Sequence, residues 1–431
     1  MSLWIMAWKY LCRRPLVSIM TLLSVALGTA LIVAVLTLKR ETHQSFEGAN
    51  NVYDLVVGAK ASPLQLVLCS IYHLDRPPGN IPYHRYTELK TDFRVKFAVP
   101  LGLGDNYQGF RIVGTDENFF EVKTRKTVDR PPEHVVSLAS GARFAAPFES
   151  VIGGFVAIQT GLKVGDTFSG THGLMKLEGS AEHAEFPYTV VGVLALNGTP
   201  NDRAIFTPME SVWQVHAAEE KVHEDIGWLA VGGQAPGAPK IKPKDVPEDD
   251  RELTSVLVQT KLVLQRFGMK EEINNETEAM AAVPLEEMGR MFKNFIGPMQ
   301  TSLLAIAFLV VVVAALTILT TLYQSAERRR RDLAIMRALG GRRQEMFTLV
   351  LIEALLLTFL GIGLGFVLGH GVVGMASGYL RDEMGLVINP WSFDRLELGC
   401  LGAVALVGLV AGFIPALLAY RTSPVRDLSG N

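Results

Sequence analysis

The sequence predicts an α+β integral membrane protein: four transmembrane helices, with a large mixed α/β extracytoplasmic domain inserted between the first and the second. Three observations lead there. Of the 431 residues, 49% are hydrophobic and 19% charged, which is too apolar for an ordinary soluble chain. The apolar residues gather in four runs, each near the ~20 residues that a helix needs to cross a bilayer core. Between the first two runs lie about 260 residues of ordinary globular composition, enough for a domain of its own, expected in two lobes. A net charge of -2 gives nucleic-acid binding no electrostatic footing.

The spans follow in order as residues 16–38, 299–324, 346–376 and 398–420. Lys9, Arg13 and Arg14 precede the first, as they would in a signal peptide. Its apolar run is longer than a usual signal core and no A-x-A-like site follows, so a retained anchor is expected. Basic residues set the orientation. Lys9, Arg13 and Arg14 lie before span one; Arg328, Arg329, Arg330, Arg331, Arg337, Arg342 and Arg343 lie in the 325–345 loop; Arg421 and Arg426 lie in the 421–431 tail. Four spans put all three groups on one side, the cytoplasm, with both termini. Residues 39–298 and the short 377–397 loop then face outward, with Lys39 and Arg40 as a minor exception.

The outer segment carries β-rich runs at 53–57, 110–113, 188–194, 204–206 and 255–259, with helical patterns at 210–221 and 285–295. Residues 232–252, with four prolines and an acidic close, read as a loop or hinge between lobes. VIGGFVAIQTGLKVGD (151–166) reads as a short helix between glycine turns, Gly161, Gly165 and Asp166 being turn chemistry. The apolar 53–75 stretch suits core packing, the alternative being a membrane-lying lip or lateral entrance at Leu66 and Leu68. Cys12, Cys69 and Cys400 allow no disulfide within the outer domain, where only Cys69 falls. His172, His183, His216 and His223 fall in one half of it, but no HExxH or H-x₃-H spacing is present, so solvated histidines are expected rather than zinc. No nucleophile-and-base or metal motif supports an enzyme.

The 327–353 stretch reads ERRRRDLAIMRALGGRRQEMFTLVLIE. Leu333, Met336 and Leu339 share a helical face while arginines occupy the rest, and Gly340 with Gly341 breaks the helix before span three. On physics alone this is a short amphipathic helix on the inner membrane surface, able to meet anionic headgroups. It closely resembles the segment between the second and third membrane helices of MacB/FtsX-type (type VII) ABC permeases. WKYLCRRPLVSIMTLLSVALGTALIVAV resembles that family's opening amphipathic helix (1–15) and first span. GLKVGD with VVGVL resembles its outer domain, and GFIPALLAYRTSPVRDL its closing helix and tail.

The resemblance implies a MacB periplasmic-core-like outer domain and a dimeric permease, a second copy or paralogue completing the pair. It also implies a separate ABC ATPase subunit that holds ATP and Mg and docks on the inner helix. No Walker A pattern occurs in the chain, so this subunit is expected to bind no cofactor of its own. Arg328, Arg329, Arg331, Arg337 and Leu339 are the expected ATPase-coupling residues, with Glu327 and Asp332 orienting the arginines. The resemblance leaves two functions open. One is movement or extraction of a hydrophobic or amphipathic substrate such as a lipid, lipoprotein, peptide or drug. The other is FtsX-like signalling to an outer partner such as a cell-wall hydrolase. The four-helix layout with a large domain favours the first; a periplasmic partner fits either.

Within the membrane, Gly361, Gly365 and Gly369 form one small-residue face and Gly408 with Gly412 another, which lets helix backbones approach closely, in the subunit or at a dimer seam. Glu353 lies inside the third apolar run, where it needs a partner such as an arginine near the cytoplasmic end. Pro415 marks an expected kink in span four.

Overall fold

In the computed structural model, residues 3–50, 52–125, 131–173, 182–226, 246–384 and 388–421 are described. The chain opens with α1 (Leu3–Cys12) and α2 (Pro15–Asn50), then β1 (Leu55–Gly58), α3 (Pro63–Tyr72), β2 (Ile81–Pro82), α4 (His84–Thr91), β3 (Val95–Tyr107) and β4 (Phe110–Thr115). It continues through α5 (Asn118–Glu121), β5 (Leu138–Gly141), β6 (Glu149–Ile152), α6 (Gly154–Thr160), β7 (Thr167–His172), β8 (Glu182–Leu194), β9 (Ala204–Pro208) and α7 (Met209–Ile226). Then come β10 (Glu252–Leu253), β11 (Ser255–Thr260), α8 (Gln265–Asn275), β12 (Met280–Ala282) and α9 (Pro284–Met291). Last are α10 (Gly297–Arg328), α11 (Arg330–Ala338), α12 (Arg343–Met384) and α13 (Arg395–Tyr420). Two compact units result, residues 1–43 with 295–431, and residues 44–294.

The outer unit is built on a ten-stranded sheet of order β12-β1-β11-β3-β4-β9-β6-β8-β5, with β7 bridging β3 and β8. β3 is long enough to serve both halves: it pairs antiparallel with β11 through residues 95–101 and with β4 through residues 102–107. The sheet is mixed, since β4 and β9 run parallel, as do β6 and β8. Alternation divides its sides. Val56 and Leu257 point into one core beside Leu66, Val67 and Phe206, whereas Leu55, Val57, Val256 and Val258 point into the other with Tyr86, Trp213 and Met269. Both faces are therefore covered by helices, and β1 and β11 are buried at every position. α3, within the 53–75 segment, belongs to the first core: Leu66 is fully buried on it and Leu68 packs against that core. That overturns the alternative of an exposed entrance there. Gly161 (φ 75°) and Gly165 (φ 98°) take left-handed turns around α6, and Asp166 accepts from the Lys163 N–H at 2.8 Å. The 232–252 hinge lies mostly outside the described residues.

In the other unit, α2, α10, α12 and α13 are each long and apolar enough to cross a membrane. Small residues set how closely they pack. A Cβ placed on Gly365 would fall 2.4 Å from the Ala26 carbonyl oxygen, and one on Gly361 2.6 Å from the Val25 Cβ. One on Gly369 would fall 2.8 Å from the Ala30 oxygen, so this stripe of α12 lies on the α2 backbone within one chain. Gly412 similarly receives Ala354 and Gly408 receives Thr358, joining α13 to α12. Val25, Val311, Ile318, Ala354 and Ala411 form the shared core of the four helices. Pro415 lies inside α13 and is buried.

Candidate functional site: the basic turn between two membrane helices

α10 runs on to Arg328, and α11 follows after a single break at Arg329. Its inner face is small and apolar. Ala334 is fully buried, and Met336 packs against both Met346 with Val350 and Ala7 with Leu349. α11 is thus seated on the first turns of α12 and on α1. α1 turns Ala7 and Leu11 inward and leaves Trp4, Ile5 and Trp8 about half exposed, the arrangement of a helix lying in the interfacial layer. Gly340 (φ 100°) turns the chain out of α11, and Glu345 accepts from the Arg342 N–H at 2.9 Å at the start of α12.

The seven expected coupling residues do not share one surface. Arg329 turns inward: its guanidinium nitrogens lie 3.5 and 3.4 Å from the two oxygens of Glu353, and its centre lies 3.9 Å from the middle of the Tyr10 ring. The two side chains are 12% and 6% exposed, so this ion pair with a ring stacked on it ties α1, the α10 end and α12 together. Glu353 thereby has the arginine partner that a carboxylate in an apolar helix needs. Glu327, Arg328, Arg331 and Leu339 face outward, Leu339 at 84% exposure, and Arg337 is half-buried. The side chains of Arg330, Asp332 and Leu333 lie outside the described residues. What remains open to a partner is a basic, partly apolar ridge on a helix whose other side is fixed.

At the opposite end of the same unit sits a second polar cluster that the sequence reading missed. Glu41 on α2 accepts from the Asn389 N–H at 2.9 Å and the Ser392 hydroxyl at 2.6 Å, and Arg40 donates to the Ser392 carbonyl at 2.6 Å. His370 Nδ1 lies 2.5 Å from the Pro390 carbonyl, which can only accept, so Nδ1 carries the proton. Its Nε2 faces Glu397 Oε1 at 3.1 Å with both side chains buried, and neither atom has another partner among the described residues. A histidine inside one apolar run and a glutamate at the head of another, 27 positions apart, gave no spacing signal.

Of the histidines weighed for zinc, the side chains of His172, His183 and His223 lie outside the described residues, and His216 stands beside Gly104 on β3. No group of metal-ligating side chains occurs among the described residues. The cysteines are free.

Two family profiles match the chain. The MacB-like periplasmic core domain covers residues 18–235, just over half of the sequence, and the FtsX-like permease C-terminal region covers residues 304–424. An uncharacterized ABC transporter permease of Mycobacterium tuberculosis is 25% identical over 99% of this chain and 45% of its own length. One from Methanocaldococcus jannaschii is 27% identical over 36% of this chain and 38% of its own. The macrolide export ATP-binding/permease protein MacB of Syntrophobacter fumaroxidans is 29% identical over 36% and 21% respectively. The chain spans less than half the length of these curated relatives. Among solved structures, the periplasmic region of MacB from Actinobacillus actinomycetemcomitans aligns with 57% of this chain and 95% of its own, at 8% identity and a TM-score of 0.32.

Proposed function

The chain belongs to the MacB/FtsX-type family of ABC transporter permeases, and we propose that it passes the ATP-driven motion of a separate ATPase subunit to its outer domain. Through that motion it moves or extracts a hydrophobic or amphipathic substrate. ATP and Mg belong to the partner, a second permease copy or a paralogue completes the assembly, and both termini lie in the cytoplasm by the basic-residue bias. The observation that carries this reading is α11: its Ala334–Met336 side is anchored on α12 and α1, while Arg331 and Leu339 stand exposed. A ridge mounted this firmly transmits force applied to it rather than absorbing it. Arg329, held by Glu353 and Tyr10, serves as part of the mount.

Replacing Arg337 and Leu339 together by Ala tests the docking role. The variant is expected to insert in the membrane and retain its helix packing, because neither side chain belongs to the anchored face. Co-purification with the ATPase should drop at least about tenfold, the loss of one buried apolar anchor and one basic contact. Undiminished co-purification and coupled turnover would remove the assignment.

A further inference from the structure

At the basic end of the membrane unit, a cavity of about 70 Å³ opens between the start of α2 and the last turns of α10. Arg14, Arg328, Gln324 and Ser325 form its polar wall, and Val17 and Leu357 lie on its apolar side. Neither Arg14 nor Arg328 has a carboxylate at ion-pair distance among the described residues. Glu353 also borders the cavity but is already held by Arg329. Burial first, then the like charges of Arg329 and Arg328, push the Arg14 guanidinium below its usual range, with Glu353 opposing them.

Ser325 supplies a second, independent sign. It is 5% exposed, and among the described residues its Oγ has no hydrogen-bond partner. Elsewhere on α10, Thr301, Ser302, Thr317 and Thr320 each bond back to the carbonyl four residues earlier, at 2.8–2.9 Å, and Thr321 meets Thr21 across the helices at 3.3 Å. A buried hydroxyl left unpaired is costly; here it borders a cavity lined by two arginines and by one carboxylate, Glu353, that Arg329 already engages.

We propose that this cavity holds the phosphate of an anionic phospholipid. Arg14 and Arg328 supply the charge, the Ser325 hydroxyl and the Gln324 amide donate to phosphate oxygens, and the acyl chains leave past Val17, which is 45% exposed to the lipid side. The depth is right for a headgroup, since Arg14 lies just before one span and Arg328 closes another. Only the leaflet, the cytoplasmic one, rests on the orientation proposed above.

Native mass spectrometry of the detergent-purified full chain, offered phosphatidylglycerol or phosphatidylcholine at low stoichiometry, tests this without any ATPase, so its failure is distinct from failure of the docking assignment. One phosphatidylglycerol per chain is expected to stay bound in preference to phosphatidylcholine. Retention should fall about fivefold in Arg14→Gln and in Arg328→Gln and remain unchanged in Arg13→Gln, whose exposed side chain lies outside the cavity. Ser325→Ala, which keeps the helix intact, should lower retention as well. Displacement of the lipid by millimolar inorganic phosphate would assign the same phosphate chemistry to a free anion. Equal retention of both lipids, or of phosphatidylglycerol by the wild type and both arginine variants, would overturn the proposal.

Discussion

At the end of α3, His73 takes a left-handed backbone (φ 54°) that lets the Leu74 N–H reach the Leu68 carbonyl at 3.0 Å. Its ring meets the Phe206 ring edge-on, with centroids 6.1 Å apart, in the field of Arg111, a buried arginine that donates to the Asp75 carbonyl and to Cys69 Sγ. Nε2 meets Asn201 Oδ1 at 3.4 Å, while Nδ1 is buried without a partner among the described residues. A proton on Nδ1 would be desolvated, unaccepted and next to a cation, so burial first and Arg111 second depress His73 to about 4. The unfolded state then binds the extra proton first. Stability is complete above the ordinary histidine value near 6.5 and is lost as pH falls toward 4. Part of the residue still reaches solvent, so we expect about 1–3 kcal/mol rather than the full value of such a shift. His73→Asn keeps a residue tolerant of the left-handed turn and removes the titration. Urea unfolding at pH 7 and pH 4.5 should show a smaller acid loss in the variant; identical losses would mean that His73 does not carry the effect. None of this was legible in the sequence, where His73 and Arg111 are far apart and His73 shows no pattern of its own.

Among the elements, the glycine stripe on α12 is the feature that sequence spacing exposed most directly and explained least. Three glycines four apart announce a close helix contact, but nothing in the pattern says whether the facing backbone is α2 of the same chain or a second copy. That choice is made by tertiary packing: Ala26, Thr29, Ala30 and Val33 lie where added Cβ atoms would intrude. Gly365→Ala is expected to cost about 1–3 kcal/mol, because the obstacle is the Ala26 carbonyl oxygen and a backbone cannot step aside as a rotamer can. Gly363 has nothing within 4 Å, so Gly363→Ala on the same helix should leave thermal unfolding in detergent unchanged. Equal behaviour of the two variants would show that the stripe is not under packing load. The strands tell a complementary story. The β-rich runs at 53–57 and 255–259 are visible as strands in the sequence, yet which strands pair is set by long-range register, and the antiparallel β1–β11 partnership spans most of the domain's sequence.

For the whole chain, the physical question is which membrane helices move together, since the outer unit is continuous in sequence with α2 before it and α10 after it. α2 is bound to α12 by the glycine stripe from Leu22 to Val33. At its far end Glu41 is gripped by Asn389 and Ser392 in the α12–α13 connection, and that connection is pinned in turn by His370 on Pro390. In the sequence Arg40 registers only as an exception to the charge bias; in the fold its guanidinium closes this clamp by donating to the Ser392 carbonyl and hydroxyl. Such bonding at both levels argues that α2, α12 and α13 travel as one block and that relative motion falls to α10 above the Arg329–Glu353 tie, which holds its lower end and the turn below it to α12. A Glu41→Cys, Ser392→Cys pair, in a background with Cys12 and Cys400 changed to Ala, should be joined efficiently by a short thiol-bridging reagent. With the ATPase subunit present, the joined protein should keep most of its coupled turnover, because the link restrains only groups that already move together. If bridging stops turnover while each single cysteine variant stays active, α2 must slide against the α12–α13 connection during the cycle, and force reaches the outer domain through both helices instead of through α10.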